Sequence, residues 1–255
     1  MRRATIVVPC FDEARRLPVD RFEAYAATAP EIDFLFVDDG STDGTLALLR
    51  DLRARCPERF EVLDLQPNRG KAGAVRAGVN AAIARGAPYV GYLDADLATP
   101  LEEIPSLMRA LDEDPKCEMV FGARVQLLGR HIERSKLRHY VGRVFATLAS
   151  EMLGLRVYDT QCGAKLFRVG ELTRQLFGEP FVSNWAFDVE IVARRLRAER
   201  TDAGRALPAT ADVITELPLR QWTDVPGSKV RPSDFLRAIG ELWRIRRRYL
   251  SGRRR

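Results

Sequence analysis

The chain has 255 residues, 46% hydrophobic and 30% charged, a balance that supports a sizeable buried core and argues against a disordered chain. Its net charge is +6, and the last fifteen residues, ELWRIRRRYLSGRRR, hold seven Arg and one Glu and so carry all of it. The body is therefore neutral, which argues against a nucleic-acid-binding surface anywhere but the tail. The four cysteines, at 10, 56, 117 and 162, form no CxxC pair or Cys/His cluster, which argues against a zinc site and suits a reducing cytosol.

Taken in order, ATIVVPC (4–10) is a continuous apolar run and predicts a strand covered on both faces. A helix is expected over 19–29 and a second buried strand at DFLFVDDG (33–40). STDGTLALLRDLRAR (41–55) opens on capping residues, Ser41 and Asp43, and continues with helical spacing at Leu46, Leu49 and Leu52. FEVLDL (60–65) is a third strand, GKAGAVRAGVNAAIAR (70–85) an Ala-rich helix, and YVGYLDAD (89–96) a fourth strand. Strand and helix alternating in this way predict an α/β fold with a mostly parallel, Rossmann-like sheet flanked by helices. Further on, EMVFGAR (118–124) is a strand, and 132–155 reads as one long amphipathic helix bearing Val141, Val144, Phe145, Leu148, Met152 and Leu153. DTQCGAKLF (159–167) is strand and loop, 184–200 a helix, 213–222 a late strand, and 234–250 a final basic helix. One catalytic domain is expected over 1–230, with a C-terminal basic amphipathic helix and tail over 231–255. No apolar run reaches the length needed to cross a bilayer, and the start lacks a signal-peptide core. A cytoplasmic protein, peripheral on the cytoplasmic face of a membrane, is the expectation.

In parallel α/β sheets ligands bind beyond the carboxyl ends of the strands. Three such ends are acidic here: Pro9–Glu13, Asp38–Asp39 and Asp94–Asp96. Asp94 and Asp96, two apart in extended backbone, would point to one side, where two carboxylates repel unless a cation such as Mg²⁺ or Mn²⁺ joins them. A solvated acidic turn is the alternative for an isolated DxD, but three acidic strand ends on one edge favour a shared site. Asp38 and Asp39 could accept from a base N–H or a ribose hydroxyl, and Phe11 could face a base with Glu13 bonded to it. In NRGKAGAVRAG (68–78), Lys71 and Arg76 with three glycines suit either phosphate binding or close helix packing, and Lys71 is the better phosphate candidate. His131 and His139 are given no role.

Together these motifs resemble family-two glycosyltransferases with the nucleotide-sugar-binding fold called GT-A. DTQCGAKLF, NWAFDVE (184–190), WTDVPGSKV (222–230) and IRRRYL (245–250) look like the dolichyl-phosphate β-glucosyltransferase branch of the polyprenyl-phosphate glycosyltransferases. The resemblance covers roughly 4–250. It implies donor contacts at Pro9, Phe11, Glu13, Asp39 and Trp185, and a DxD segment of Asp94, Ala95 and Asp96, its two carboxylates holding the metal and the diphosphate. It also implies acceptor-phosphate contacts at Arg124, Arg134, Ser135, Arg138 and Lys229. Asp159 and Asp188 would position sugar hydroxyls or assist as base, with Asp96 the third catalytic carboxylate and Glu190 in the donor-pocket segment. Two departures stand out: Asp12 replaces the family's usual asparagine, and Ala98 stands where mannosyl enzymes carry glutamine, as in the glucosyl branch. The implied function is metal-dependent, inverting transfer of a sugar, glucose from UDP-glucose before mannose from GDP-mannose, to a polyprenyl or dolichyl phosphate. A soluble or protein acceptor is the alternative on the same fold. A nucleic-acid-binding protein, resting on the tail alone, is the alternative of another class. The 141–155 face and the Arg-rich tail could each touch a membrane surface.

Overall fold

The computed structural model describes residues 3–134, 136–201, 207–225 and 232–251 and, within these, all side chains except those of 136–138 and 232–236. Strand β1 (Ala4–Cys10) leads through α1 (Val19–Thr28) to β2 (Ile32–Asp38), then through α2 (Thr45–Arg55) to β3 (Phe60–Asp64) and through α3 (Gly70–Ala84) to β4 (Tyr89–Leu93). Helix α4 (Ile104–Glu113) precedes β5 (Met119–Ala123). A short strand β6 (His131–Glu133) then leads into α5 (Lys136–Leu153), followed by β7 (Ala164–Arg168), α6 (Glu171–Gly178) and α7 (Phe187–Thr201). The chain closes with α8 (Thr210–Val213), β8 (Ile214–Pro218), β9 (Gln221–Thr223) and α9 (Pro232–Ile245).

Seven strands form one sheet in the order β3-β2-β1-β4-β7-β5-β8. All run parallel except β7, which is antiparallel to both neighbours. This is the mostly parallel, helix-flanked GT-A sheet with a C-terminal helical extension. The alternation along the strands explains its two-sided burial. Ile6, Val8, Phe34 and Phe36 join one core with Phe22 of α1, Leu49 and Leu52 of α2, and Leu107 of α4. Their neighbours Val7, Leu35 and Val37 join the other with Val75 and Val79 of α3 and Val189 and Ile191 of α7. Gly78 permits the close approach of α3 to the sheet: a Cβ there would lie 2.4 Å from Val7 Cγ1 and 2.8 Å from Val37 Cγ2.

Several elements depart from the expectations. The helix expected from 41 begins at Thr45, whose amide donates to Asp43 Oδ1 at 2.9 Å, so Asp43 serves the helix start while Ser41 accepts from the Asp12 amide. The helix expected over 132–155 begins at Lys136, and 131–133 is a strand paired with 221–223. The strand expected over 213–222 is broken, so that β8 completes the large sheet while β9 joins β6 in a separate two-stranded ribbon. The fourth strand ends at Leu93, so Asp94 and Asp96 lie in a turn rather than on one side of extended backbone. That turn is closed by Leu97 N–H donating to the Asp94 carbonyl (3.2 Å), with Leu97 at φ +52°. The C-terminal helix is not a free tail, since Ala238, Leu242 and Ile245 belong to the second core.

Candidate active site

Register decides which residues meet. Pro9 pairs with Val37, Leu93 with Ala164 and Ala123 with Pro218. The carboxyl ends of β1, β2, β4 and β5 and the amino end of β7 therefore share one edge. That edge gathers residues 11–13, Asp39, Asp94–Asp96, Arg124 and the 159–163 loop.

The first two acidic segments are laced together. The amide of Asp12 donates to Ser41 Oγ (3.0 Å), that of Glu13 to Thr45 Oγ1 (2.8 Å) and that of Ala14 to Asp43 Oδ2 (3.2 Å). In return Asp12 Oδ1 accepts from the Thr42 amide (2.8 Å). Asp12 sits at φ +50°, a region Asn and Asp tolerate better than other residues with a side chain, so Asp can serve where the family carries Asn. Asp38 and Asp39 are buried. Asp39 Oδ1 accepts from the Arg69 amide (2.8 Å), and burial still pushes its carboxyl above the ordinary range. Asp38 Oδ2 accepts from the Ser41 amide (3.2 Å), while its Oδ1, buried, has no hydrogen-bond partner among the described residues. A buried acceptor left open is costly, and it suits a donor group on a ligand. Phe11 is exposed beside this pocket.

At the next strand end, Lys71 Nζ lies 2.5 Å from Asp94 Oδ1, and an Arg16 guanidinium nitrogen lies 3.4 Å from Asp96 Oδ2. Desolvation works against the Lys71 ammonium, but Asp94 first, then Asp188 and Asp96, hold its pKa above the usual value. Asp96 is pushed up by burial and then by Asp94, with the Ala98 amide, Arg16 and Lys71 opposing. A carboxylate whose proton affinity is raised by burial and by a second carboxylate beside it fits a divalent cation. Gly163 lets the 159–163 loop pack directly on the Asp94 carboxylate, since a Cβ there would lie 2.1 Å from Asp94 Oδ2. Among the described residues no cluster of three or more His, Cys, Asp or Glu could hold a metal. A cation at Asp94 and Asp96 would thus complete its shell with phosphate oxygens and water, as Mg²⁺ commonly does. Arg76, the other candidate cation of this helix, donates to the Gly178 carbonyl instead, which is a packing role.

Arg124, just past β5, clamps the 159–163 loop. Its Nε donates to Asp159 Oδ2 (2.6 Å) and a terminal nitrogen to Oδ1 (2.8 Å), and its amide adds a third bond to Oδ2 (3.1 Å). Burial would raise the Asp159 pKa, but Arg124 overcomes it and holds the carboxyl at about 2. Glu216 of β8 accepts the Tyr158 and Asp159 amides and fixes the loop from behind. One end of the loop is thus held on Arg124 and the other, at Gly163, is pressed on Asp94. The β6–β9 ribbon adds the rest. Arg124 and Arg134 lie over the Trp222 ring at 5.3 and 5.7 Å from its centroid. Desolvation and then the nearby Arg124 lower the Arg134 pKa, with Asp159 and Asp224 opposing. Trp222 was not singled out for this role, and the adjacent ribbon strands are too short to show a period.

Asp188, at the start of α7, is buried against Lys165 Nζ (2.7 Å) and accepts from the Tyr92 hydroxyl. Lys165 is fully buried and also donates to the Cys162 carbonyl (2.6 Å). Trp185 stands edge-on to Phe145 of α5 at 5.3 Å. Glu190 accepts the Val182 and Ser183 amides and pairs with Arg194 at 2.8 Å. Ser135, Lys229 and the side chain of Arg138 lie outside the described residues.

The sheet and its acidic ligand edge are those of the GT-A fold. The chain belongs to glycosyl transferase family 2, whose model matches residues 5–172, and is related to the dolichyl-phosphate glycosyltransferases. It is 31% identical over 265 residues to a dolichyl-phosphate beta-glucosyltransferase of Dictyostelium discoideum, covering 97% of this chain and 75% of that one. It is 33% identical over 265 residues to the Drosophila melanogaster protein of the same name, covering 97% and 76%. Its fold matches glucosyl-3-phosphoglycerate synthase from Mycobacterium tuberculosis, solved with Mn²⁺, UDP-glucose and phosphoglyceric acid. The TM-score there is 0.65, with 18% identity and coverage of 96% and 79%.

Proposed function

We propose that this protein transfers a hexose, glucose from UDP-glucose before mannose from GDP-mannose, to the phosphate of a polyprenyl lipid, inverting the anomeric centre. The supporting observation is the 159–163 loop, held on Arg124 at one end and against Asp94 at the other. It brings a two-arginine anion site beside a two-carboxylate cation site. The names of the related glucosyltransferases point the same way for donor and acceptor.

In this reading the base and ribose lie among Pro9, Phe11, Glu13, Asp38 and Asp39, with Lys71 at the diphosphate and Trp185 lining the sugar side. Asp94 and Asp96, flanking Ala95, would hold Mg²⁺ or Mn²⁺, which neutralises charge on the departing nucleotide. Arg124 and Arg134 bind the acceptor phosphate, assisted by Ser135, Arg138 and Lys229. A phosphate monoester with a second pKa near ~6 is largely dianionic at neutral pH. Its oxygen can form the new bond to the anomeric carbon while the bond to the leaving diphosphate breaks, without a strong base. That fits Asp159 and Asp188, each ion-paired to a cation, as residues that position rather than accept a proton.

The lipid tail requires a membrane surface. Among the described residues no helix is long and apolar enough to cross a membrane. Yet Tyr140, Val141, Val144 and Leu148 of α5 and Ile239 and Trp243 of α9 are exposed. Arg247 stacks on Trp243 at 5.5 Å, so a basic group accompanies the apolar one, as suits an anionic leaflet.

The test is a labelled-donor screen against a short polyprenyl phosphate, with and without EDTA. Organic-extractable product that disappears with EDTA is expected. Product formed only on a soluble acceptor would overturn the lipid assignment, and EDTA-insensitive transfer the metal assignment.

A further inference from the structure

The helix furthest along the sequence reaches the donor side of the edge. On the inward face of α9, beside Ala238, Leu242 and Ile245, stands Glu241, only 3% exposed. Its Oε2 accepts three hydrogen bonds from a single loop: the Ser183 hydroxyl, the Trp185 amide (3.0 Å) and the Ala186 amide (2.9 Å). Ser183 Oγ in turn accepts from the Ala186 amide at 2.8 Å. Its second oxygen faces Arg244 at 3.5 Å. A carboxylate this buried is tolerated only where its lone pairs are used, and here most of that capacity serves the turn that enters α7.

What the loop touches on its other side gives the arrangement its meaning. A Cβ on Gly70 would lie 2.9 Å from Asn184 Oδ1 and 3.2 Å from its Nδ2, so Asn184 rests on the first residue of α3. The next residue is Lys71, paired with Asp94. Trp185 leaves the same loop toward Phe145. A chain of direct contacts therefore runs from Glu241 through the 183–186 loop to the N-terminus of α3 and the Lys71–Asp94 pair.

We infer that Glu241 is a positioning residue of the donor site. It holds Asn184 and Trp185 in place, and through them the end of α3 that presents Lys71 to the donor diphosphate. The C-terminal helix is then part of the catalytic unit. The inference rests on the reading that Lys71 and Asp94 mark the diphosphate site. Glu241 itself makes no contact with the edge, so its loss acts on donor binding before it acts on the acceptor.

The experiment uses the full chain, with UDP as probe by calorimetry and KM values for UDP-glucose and polyprenyl phosphate measured separately. Glu241→Ala is expected to raise the UDP dissociation constant and the donor KM by about tenfold, the scale of losing hydrogen bonds to a charged group, with the acceptor KM unchanged. Glu241→Gln can still offer one carbonyl oxygen to all three donors and should return to within about threefold of the parent. Ser183→Ala removes one donor while leaving the helix intact, and should shift the donor KM in the same direction by a smaller factor. It carries the test if Glu241→Ala does not fold. Donor KM and UDP affinity unchanged in Glu241→Ala, or in Ser183→Ala where only that variant folds, would overturn the inference. Donor and acceptor KM rising equally would do so too. The underlying reading fails separately: the parent would then bind no UDP, or Lys71→Ala would bind it as well as the parent.

Discussion

Lys71 Nζ lies 2.5 Å from Asp94 Oδ1, so a lysine from the first turn of α3 and a carboxylate from the turn after β4 meet across two strand-to-helix connections. The pair places one positive charge where a donor diphosphate would need it. On the proposed reading, Lys71→Ala should weaken UDP binding by about ten- to hundredfold, the range of a charge-assisted hydrogen bond of ~1.5–3 kcal/mol. Calorimetric titration with UDP checks it, and unchanged affinity would remove Lys71 from the donor site.

Asp96 yields a pH dependence with a definite sign. Burial and Asp94 raise its carboxyl above the ordinary range in the folded chain, so the native state holds that proton more tightly than the unfolded chain does. Its contribution to stability is present below the unfolded pKa and is lost as pH rises through the folded one. On the proposed reading a divalent cation bound there would compete with the same proton. Mn²⁺ should therefore raise the melting temperature at neutral pH and lose that effect on mild acidification, earlier than for an ordinary carboxylate. Asp96→Asn should abolish both the Mn²⁺-induced shift and metal-dependent turnover. Thermal scans with and without Mn²⁺ across pH decide this, and a fully active Asp96→Asn would refute the metal assignment.

The Arg124–Asp159 pair is both a structural clamp and a proposed acceptor contact, and the two roles separate by substitution. With the Asp159 carboxyl at about 2, its stabilising effect is present above the unfolded value and is lost only as pH falls toward 2. Asp159→Ala strands a buried guanidinium and should cost about 3–5 kcal/mol, whereas replacing both partners by apolar residues should recover much of that loss. Urea unfolding measures it. On the proposed reading activity should stay lost in the double variant, because Arg124 would bind the acceptor phosphate. A double variant with parental turnover would confine the pair to stability.

The alternating half of the fold and its acidic edge were legible because buried parallel strands write continuous apolar runs, and their carboxyl ends fall on one side. Asp94 and Asp96 were located, but their relation was not: two residues beyond Leu93 the backbone turns, so a period-two argument no longer applies. The β6–β9 ribbon escaped because three-residue strands carry no period. Its pairing joins residues 131–133 to 221–223, and only that contact brings Arg134 to Trp222. Ser41 and Asp43 match a capping pattern, and Asp43 does accept from the Thr45 amide at the helix start, but Ser41 and the other Asp43 oxygen lace the 12–14 loop, since the same side-chain oxygens serve either purpose. Glu241 is the one acid among seven Arg in the last fifteen residues, and no motif or spacing there marks it for burial. Its burial depends on how α9 packs against α5 and α7.

The exposed apolar residues of α5 and α9 carry the last expectation. On α5, Phe145, Ala149 and Leu153 are buried while Tyr140, Val144 and Leu148 face out at four-residue intervals, so the apolar surface of this helix exceeds what the core uses. On α9, Ile239 and Trp243 repeat the interval, and Arg247, just beyond the end of the helix, lies over the Trp243 ring. An interfacial helix has this composition, with aromatic and aliphatic groups entering the headgroup region and arginines meeting anionic lipid at about 1 kcal/mol each. Co-sedimentation with vesicles containing phosphatidylserine should therefore be strong at low salt and weaken as salt rises. Trp243→Ser combined with Val144→Ser should lower the partition coefficient by at least about tenfold, since each apolar side chain withdrawn from water contributes ~1.5–3 kcal/mol when fully buried. Turnover of a water-soluble short-chain acceptor should be unaffected, because neither residue touches the strand edge. Parental vesicle binding by the double variant would show that these faces do not meet the membrane.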